Sequence, residues 1–305
     1  MKRIVVIGCG NVGLSYIEKL VLEPNLCAEI VLIDLKKESL EGKILDLEQG
    51  LVLKTNSVFL RVGDYEDCNE ADIIVLSAGV KQSSKDRLAD LEGASRIVEE
   101  ICKKIEETSF QGIFLVATNP LDVICQLVST YLDYPREKII GTGTMLDTAR
   151  LRSLLSKKLG VRPLDIQVYV LGEHGNSQFV AWSNANIGLQ NLSNFIREEE
   201  KESLSYQTGK MGVHIVSLQG YTADGVASCL VRLTMAILLD EKAIYPVSHY
   251  QNDYDVYFST PAVIGKNGIE KAIQIKLSIE EKKKMDYSAR KIKEAVEQIL
   301  PPELY

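Results

Sequence analysis

Along the first half of the chain, short runs rich in Ile, Val and Leu alternate with longer stretches in which apolar residues recur at helical spacing. The runs at residues 4–7, 30–33, 58–62, 72–77, 113–117 and 138–140 predict six strands. Strands so continuously apolar, with helices between them, imply a parallel sheet covered on both faces. Right-handed crossovers then lead to an α/β fold of the Rossmann type, doubly wound in the order 3-2-1-4-5-6. The alternation stops near Gly141-Thr142-Gly143, which divides the chain into residues 1–142 and 143–305. The second part predicts a helix over 144–158, strands over 165–171, 255–259 and 272–276, a long helix over 222–239 and an amphipathic last helix over 279–300. That mixture reads as an α+β domain packed on the first.

Composition narrows the classes. With 46% apolar and 25% charged residues in 305, the chain has enough apolar material for a large core. Its net charge is −7, and the bases are scattered, which argues against nucleic acid as a partner. The apolar run after Lys2-Arg3 ends at Gly8, too short for a signal sequence. No stretch reaches the roughly 18 apolar residues of a membrane span. The six cysteines form no C-x-x-C pair, so reduced thiols in the cytoplasm and no metal site are expected.

Gly8-Cys9-Gly10-Asn11-Val12-Gly13 follows the first strand directly and opens a helix. In that context G-x-G-x-x-G is a dinucleotide cradle. Gly8 allows the tight turn, Gly10 lets the main chain approach a pyrophosphate, and Gly13 lets helix and strand pack closely. The helix N-terminus supplies unpaired N–H groups. Asp34 ends the second strand, 21 residues beyond Gly13, where a carboxylate accepts the ribose hydroxyls of NAD and repels a 2′-phosphate. Lys36 and Lys37 keep NADP in view, and a solvated strand-end acid is the plain alternative for Asp34.

The chain has three histidines, which shortens the search for an acid–base group that titrates near neutrality. His174 follows a strand, in Gly172-Glu173-His174-Gly175, where side chains reach clefts. His214 lies in a helical-looking apolar stretch and His249 in a predicted loop, and neither reads as functional. Asp147 and Arg150 are three apart on the 144–158 helix and share a face. They form either part of a site or an exposed ion pair.

Taken together, Gly8 to Gly13, Asp34, Thr118-Asn119-Pro120, Gly141-Thr142-Gly143 with Leu146 to Arg150, Gly172 to Gly175, and Gly220-Tyr221-Thr222 resemble the lactate and malate dehydrogenase family over essentially the whole chain. The segment 171–183 is most similar to the L-2-hydroxyisocaproate branch. The resemblance implies an NAD-dependent enzyme that moves a hydride between nicotinamide and C2 of a small 2-hydroxy or 2-keto acid. His174 would carry the proton, Asp147 would orient and charge the ring, and Arg150 would grip the substrate carboxylate through two hydrogen bonds. Asn119 would bond near the reacting oxygen, and Thr222 would line the substrate pocket. Arg87 matches the arginine the family carries on a closing loop and would polarise the carbonyl. Ala78, Gly79, Thr118 and Asn119 would join Gly8, Gly10, Asn11, Val12, Gly13 and Asp34 around the coenzyme. Self-association as a dimer or tetramer is also implied.

Some positions depart from the family pattern. The loop from Gly79 to Arg87 lacks a Lys-Pro-Gly element and is short, which bears on the size of substrate beneath it. Gln82 matches the position that separates lactate from malate, and a neutral amide there leaves a second substrate carboxylate unpaired. Asp224 replaces a common aromatic and is expected to point away from an anionic substrate or to sit at a helix N-terminus. Gln167 replaces the histidine of sugar-bisphosphate-activated relatives, although Arg152 matches their arginine, so that activation is not expected. Gln82 argues against a substrate with a second carboxylate, the short loop leaves substrate size open, and the resemblance of segment 171–183 implies a monocarboxylate larger than pyruvate. L-lactate dehydrogenase, malate dehydrogenase and a silent NAD-binding protein are the alternatives.

Overall fold

A computed structural model describes residues 1–24, 26–53, 57–80 and 87–300, the side chains of residues 27, 57 and 87–89 excepted. Its first half is built from β1 (Lys2–Ile7), α1 (Asn11–Leu20), β2 (Cys27–Ile33), α2 (Lys37–Leu51), β3 (Ser57–Val62), β4 (Ile73–Leu76), α3 (Arg87–Glu106), β5 (Ile113–Val116), α4 (Leu121–Leu132) and β6 (Ile139–Gly141). The six strands pair in parallel in the order β3-β2-β1-β4-β5-β6, as the alternation predicts. In the central strands Ile4, Val5, Val6, Ile73, Ile74 and Val75 have no exposed surface. Burying each such side chain contributes about 1.5–3 kcal/mol, which is why these runs lack the polar alternation of a half-exposed sheet.

The second half begins with α5 (Met145–Leu159), followed by the short strands β7 (Ile166–Gln167), β8 (Val170–Leu171), β9 (Phe179–Val180), β10 (Asn186–Ile187) and β11 (Gln190–Asn191). Then come α6 (Glu198–Gln219), α7 (Asp224–Leu238), β12 (Ala243–Gln251), β13 (Val256–Gly265), β14 (Gly268–Ala272) and α8 (Ile279–Glu297). The strand expected over 165–171 is two strands in different sheets, because the chain turns between Gln167 and Val170. The strand expected over 272–276 lies earlier, as β14.

β12 escapes the sequence reading altogether, and His249 lies inside it, buried, rather than in a loop. Pro246 in mid-run argues against a strand. It is tolerated because β12 meets the parallel half only where Ser248 pairs with Gly141, leaving no ladder beside Pro246 on that flank. Through that contact the antiparallel β12-β13-β14 unit extends the parallel sheet to nine strands. Among the described residues no helix is long and apolar enough to cross a membrane.

Candidate active site

Three parallel strands deliver their C-terminal ends to one edge of the sheet, where open α/β sheets bind ligands. Gly8 follows β1 with φ +92°, and a Cβ there would come 2.2 Å from the main-chain nitrogen of Ala78. A Cβ on Gly13 would come 2.3 Å from the Gly8 carbonyl oxygen. These two glycines are steric requirements of the loop itself. Gly10 differs, since nothing lies within 4 Å of where its Cβ would be. It precedes α1 without a side-chain cap, so the first N–H groups of the helix face open space. This is a cradle shaped for a pyrophosphate.

Asp34 pins the loop. Its carboxylate accepts the main-chain N–H of Cys9 at 2.8 Å and that of Lys36 at 3.1 Å. Each oxygen keeps a lone pair for a ribose hydroxyl. A cavity of about 340 Å³ opens beside it, lined in part by Cys9, Leu14, Asp34, Ser39 and Leu40. Burial, with the Asp34 charge, pushes the Cys9 thiol up to about 12, so it stays protonated and inert. Across the cradle the Ser77 hydroxyl donates to the Gly8 carbonyl at 2.7 Å, and the Thr118 hydroxyl donates to the Ala78 carbonyl at 2.6 Å. Gly79 packs against Thr118. Of the expected coenzyme residues, Gly8, Gly13, Asp34, Ala78, Gly79 and Thr118 are thus joined by contacts around the loop after β1, and Gly10, Asn11 and Val12 lie at the start of α1.

The first two turns of α5 present Asp147 and Arg150 on one face. Asp147 is 2% exposed, and its two oxygens are used separately. One meets Nδ1 of His174 at 2.7 Å, and the other accepts from the Arg150 guanidinium at 3.0 Å. Burial alone would lower the His174 pKa, but the Asp147 carboxylate outweighs it and the ring is held above its ordinary value. Burial would likewise raise Asp147, yet His174 and Arg150 hold it below the usual carboxylate range. The pair is therefore set to keep a proton on the imidazole, with Nε2 left to exchange it.

His174 is also fixed by its main chain, because its N–H donates to Asp122 at 2.7 Å. Asp122 stands in the first turn of α4, three residues past Asn119, and escaped the sequence reading because a first-turn acid looks like an ordinary complement to the helix dipole. The other two histidines are elsewhere. His249 is buried against Thr260, and burial depresses it to about 4. His214 is exposed on α6.

Thr222 is half-buried just before α7, and no bond joins it or the exposed Asn119 to the His174–Asp147–Arg150 cluster. Beyond Thr222 the chain packs closely on α5, since a Cβ on Gly225 would come 2.7 Å from Leu146. Asp224, the first residue of α7, accepts the Ser15 hydroxyl at 2.8 Å and lies 3.5 Å from Lys19. It therefore faces α1 at a helix N-terminus, in line with the expectation for it. Gln82 and the Arg87 side chain lie outside the described residues. Two glycines that the sequence reading passed over sit on α6, where the Cβ positions of Gly209 and Gly212 face the Gln178 amide and the Arg150 guanidinium.

A dinucleotide cradle at the edge of a parallel sheet, with a charged imidazole–carboxylate–guanidinium cluster in the adjoining α+β region, defines an NAD-dependent oxidoreductase acting on small hydroxy or keto acids. The comparisons agree. Residues 2–141 match the lactate/malate dehydrogenase NAD binding domain, and residues 144–301 match the lactate/malate dehydrogenase alpha/beta C-terminal domain. The chain belongs to the lactate/malate dehydrogenase family. It is 39% identical over 302 residues to an L-lactate dehydrogenase of Limosilactobacillus reuteri, covering 96% of this chain and 93% of the relative. It is 38% identical over 304 residues to one of Priestia megaterium, covering 96% and 95%. Among solved structures, a lactate dehydrogenase from a Medee basin deep-sea metagenome library superposes with a TM-score of 0.94 at 33% identity, covering 98% of each chain. The ligand-bound minor L-lactate dehydrogenase of Enterococcus mundtii follows at 0.93 and 30%, with the same coverage.

Proposed function

We propose that the chain reduces 2-keto monocarboxylates to L-2-hydroxy acids, and oxidises them in reverse, with His174 as proton donor and acceptor. The observation that carries this reading is the shared Asp147 carboxylate, which links the His174 imidazole to the Arg150 guanidinium. When bound, NADH supplies the hydride. On the protein side, Arg150 pairs with the substrate carboxylate in two-pronged fashion. That contact aims the keto oxygen at Nε2 of His174, which gives up its proton as charge develops on the oxygen. Asp147 holds the ring in the tautomer that leaves Nε2 free. Asn119, Arg87, Gln82 and Thr222 complete the substrate contacts by resemblance, with 1–142 carrying the coenzyme and 143–305 most of the substrate site.

The substrate side chain is larger than the methyl of pyruvate, as in the hydroxyisocaproate branch. The resemblance of segment 171–183 supports this, and Gly212 adds room next to the carboxylate grip, since an alanine methyl there would stand in van der Waals contact, at 3.5 Å, with both terminal nitrogens of Arg150. Lactate dehydrogenase activity is the second reading, favoured by the names of the relatives. Self-association is part of the proposal, since Leu45, Val52, Val213 and Val216 on α2, the residue after it, and α6 stay exposed in a single chain. The unpaired cysteines suit a cytoplasmic setting.

The test is initial-rate NADH oxidation with pyruvate, 2-ketobutyrate, 2-ketoisocaproate, phenylpyruvate and oxaloacetate, compared as kcat/KM, in the wild type and in His174→Ala. A preference for the longer acids, abolished in His174→Ala with NADH affinity kept, is the expected result. Preference for pyruvate would return the chain to lactate. Loss of NADH binding in the variant would remove His174 from proton transfer.

A further inference from the structure

A second buried carboxylate stands next to the acid–base pair, and the mechanism above makes no use of its charge. Asp122 is 2% exposed. One of its oxygens accepts the main-chain N–H of His174 at 2.7 Å, and the other accepts the Ser248 hydroxyl at 2.6 Å. Ser248 is the residue of β12 that pairs with Gly141 of β6. Asp122 therefore ties three parts together: the turn carrying Asn119, the loop carrying His174, and the strand that joins the two halves of the sheet.

Two neutral donors do not require a carboxylate. An asparagine of the same shape would accept the His174 N–H through its oxygen and donate its amide to the Ser248 oxygen, with the Ser248 hydroxyl turning from donor to acceptor. The buried charge is costly without a cation, and none is ion-paired with Asp122 among the described residues. Burial pushes its pKa up to about 6, against the opposing pull of Ser248 and the His174 N–H. What the charge favours is the imidazolium of His174.

The surrounding groups give the balance. From α5, Asp147 favours the imidazolium and Arg150 opposes it. Glu173, beside His174, raises Asp122 further, while the Cys125 thiol on α4 is held protonated by burial and Ser248 on β12 is neutral. Asp122, Asp147, Glu173 and Arg150 together leave two net negative charges, one of which a proton on His174 cancels.

We propose that Asp122 is a positioning residue that anchors the His174 main chain and, through its charge, raises the affinity of the imidazole for the proton it delivers. The proposal rests on His174 being the proton donor, and the experiment separates the two claims. Asp122→Asn keeps the shape and the His174 anchor, reverses the Ser248 bond and loses the charge. Keto-acid reduction needs the protonated ring, so the basic limb of the kcat/KM profile moves to lower pH, by about half a unit or more, while activity on the acidic plateau is kept. On the basic side that is a loss of about threefold or more. Asp122→Ala, which also removes the anchor, loses activity on the plateau as well.

An Asp122→Asn profile that overlies the wild type, with His174→Asn inactive, overturns this inference and leaves the proton-donor reading intact. A His174→Asn enzyme that turns over with the same basic limb overturns both. Should Asp122→Asn not fold, carboxyl ¹³C and imidazole ¹⁵N titrations of the unaltered protein decide the matter. Linked inflections at Asp122 and His174 support the proposal, and independent single steps refute it.

Discussion

Replacing Asp147 with asparagine is the most demanding test of the acid–base cluster. The side chain is 3% exposed and holds Nδ1 of His174 at 2.7 Å and the Arg150 guanidinium at 3.0 Å. An amide has one acceptor oxygen for these two donors, so one of them meets an NH₂ group instead. Electrostatically, a buried carboxylate in contact with an imidazole raises its pKa by about 1–3 units. At about 1.4 kcal/mol per unit, its loss costs the imidazolium about 1.4–4 kcal/mol. The folded-state pKa of His174 is raised, so the protonated ring is present at low pH and lost as pH rises through that value. Asp147→Asn should therefore move the basic limb of kcat/KM for keto-acid reduction down by about 1–3 pH units, a 10- to 1,000-fold loss on that limb. KM should rise as well, because Arg150 loses the partner that orients it. The assay is NADH oxidation with 2-ketoisocaproate from pH 5 to 9. An unmoved limb, with only KM changed, would refute the proton-holding role and reduce Asp147 to a clamp for Arg150.

Four other substitutions test separate parts. Gly10→Ala has open space for its methyl and should cost about 1 kcal/mol or less in thermal denaturation, yet weaken NADH binding measured by fluorescence titration. Gly8→Ala, with its methyl 2.2 Å from a main-chain nitrogen at φ +92°, should destabilise the fold itself, and a normal melting temperature would contradict that geometry. Gly212→Ala should lower kcat/KM for 2-ketoisocaproate relative to pyruvate by about 10-fold, the worth of roughly one methylene in a pocket, and an unchanged ratio would move the side-chain site away from α6. His249, held near 4 by burial, takes up no proton in the folded state until well below the unfolded value of 6.5, so stability falls as pH drops through that interval. Denaturant midpoints of wild type and His249→Gln should diverge between pH 6.5 and 4, by at most about 3–4 kcal/mol, and parallel curves would show the ring titrating normally.

Much of this was legible without coordinates. The parallel strands were plain because strands buried on both faces must be apolar throughout, and the cradle was plain because its constraint is local: strand, glycines, helix and acid lie within 34 residues. β12 was hidden by Pro246, whose cost depends on which flank of the strand is paired. α6 was obscured by Gly209 and Gly212, poor helix formers whose surroundings only packing reveals.

Sequence by itself determined the fold class, the order of the parallel strands, the coenzyme loop and His174 as a candidate, since each is written in residue type and short-range spacing, while Asp147 and Arg150 became candidates through the family resemblance. The tertiary structure alone decided that one buried carboxylate serves both His174 and Arg150, that His249 is a neutral core residue, and that Asp122 reaches His174 across 52 positions of sequence. Burial and charge pairing arise between segments distant along the chain, and the same Asp is a solvated helix cap or a buried partner depending on what the fold places opposite it.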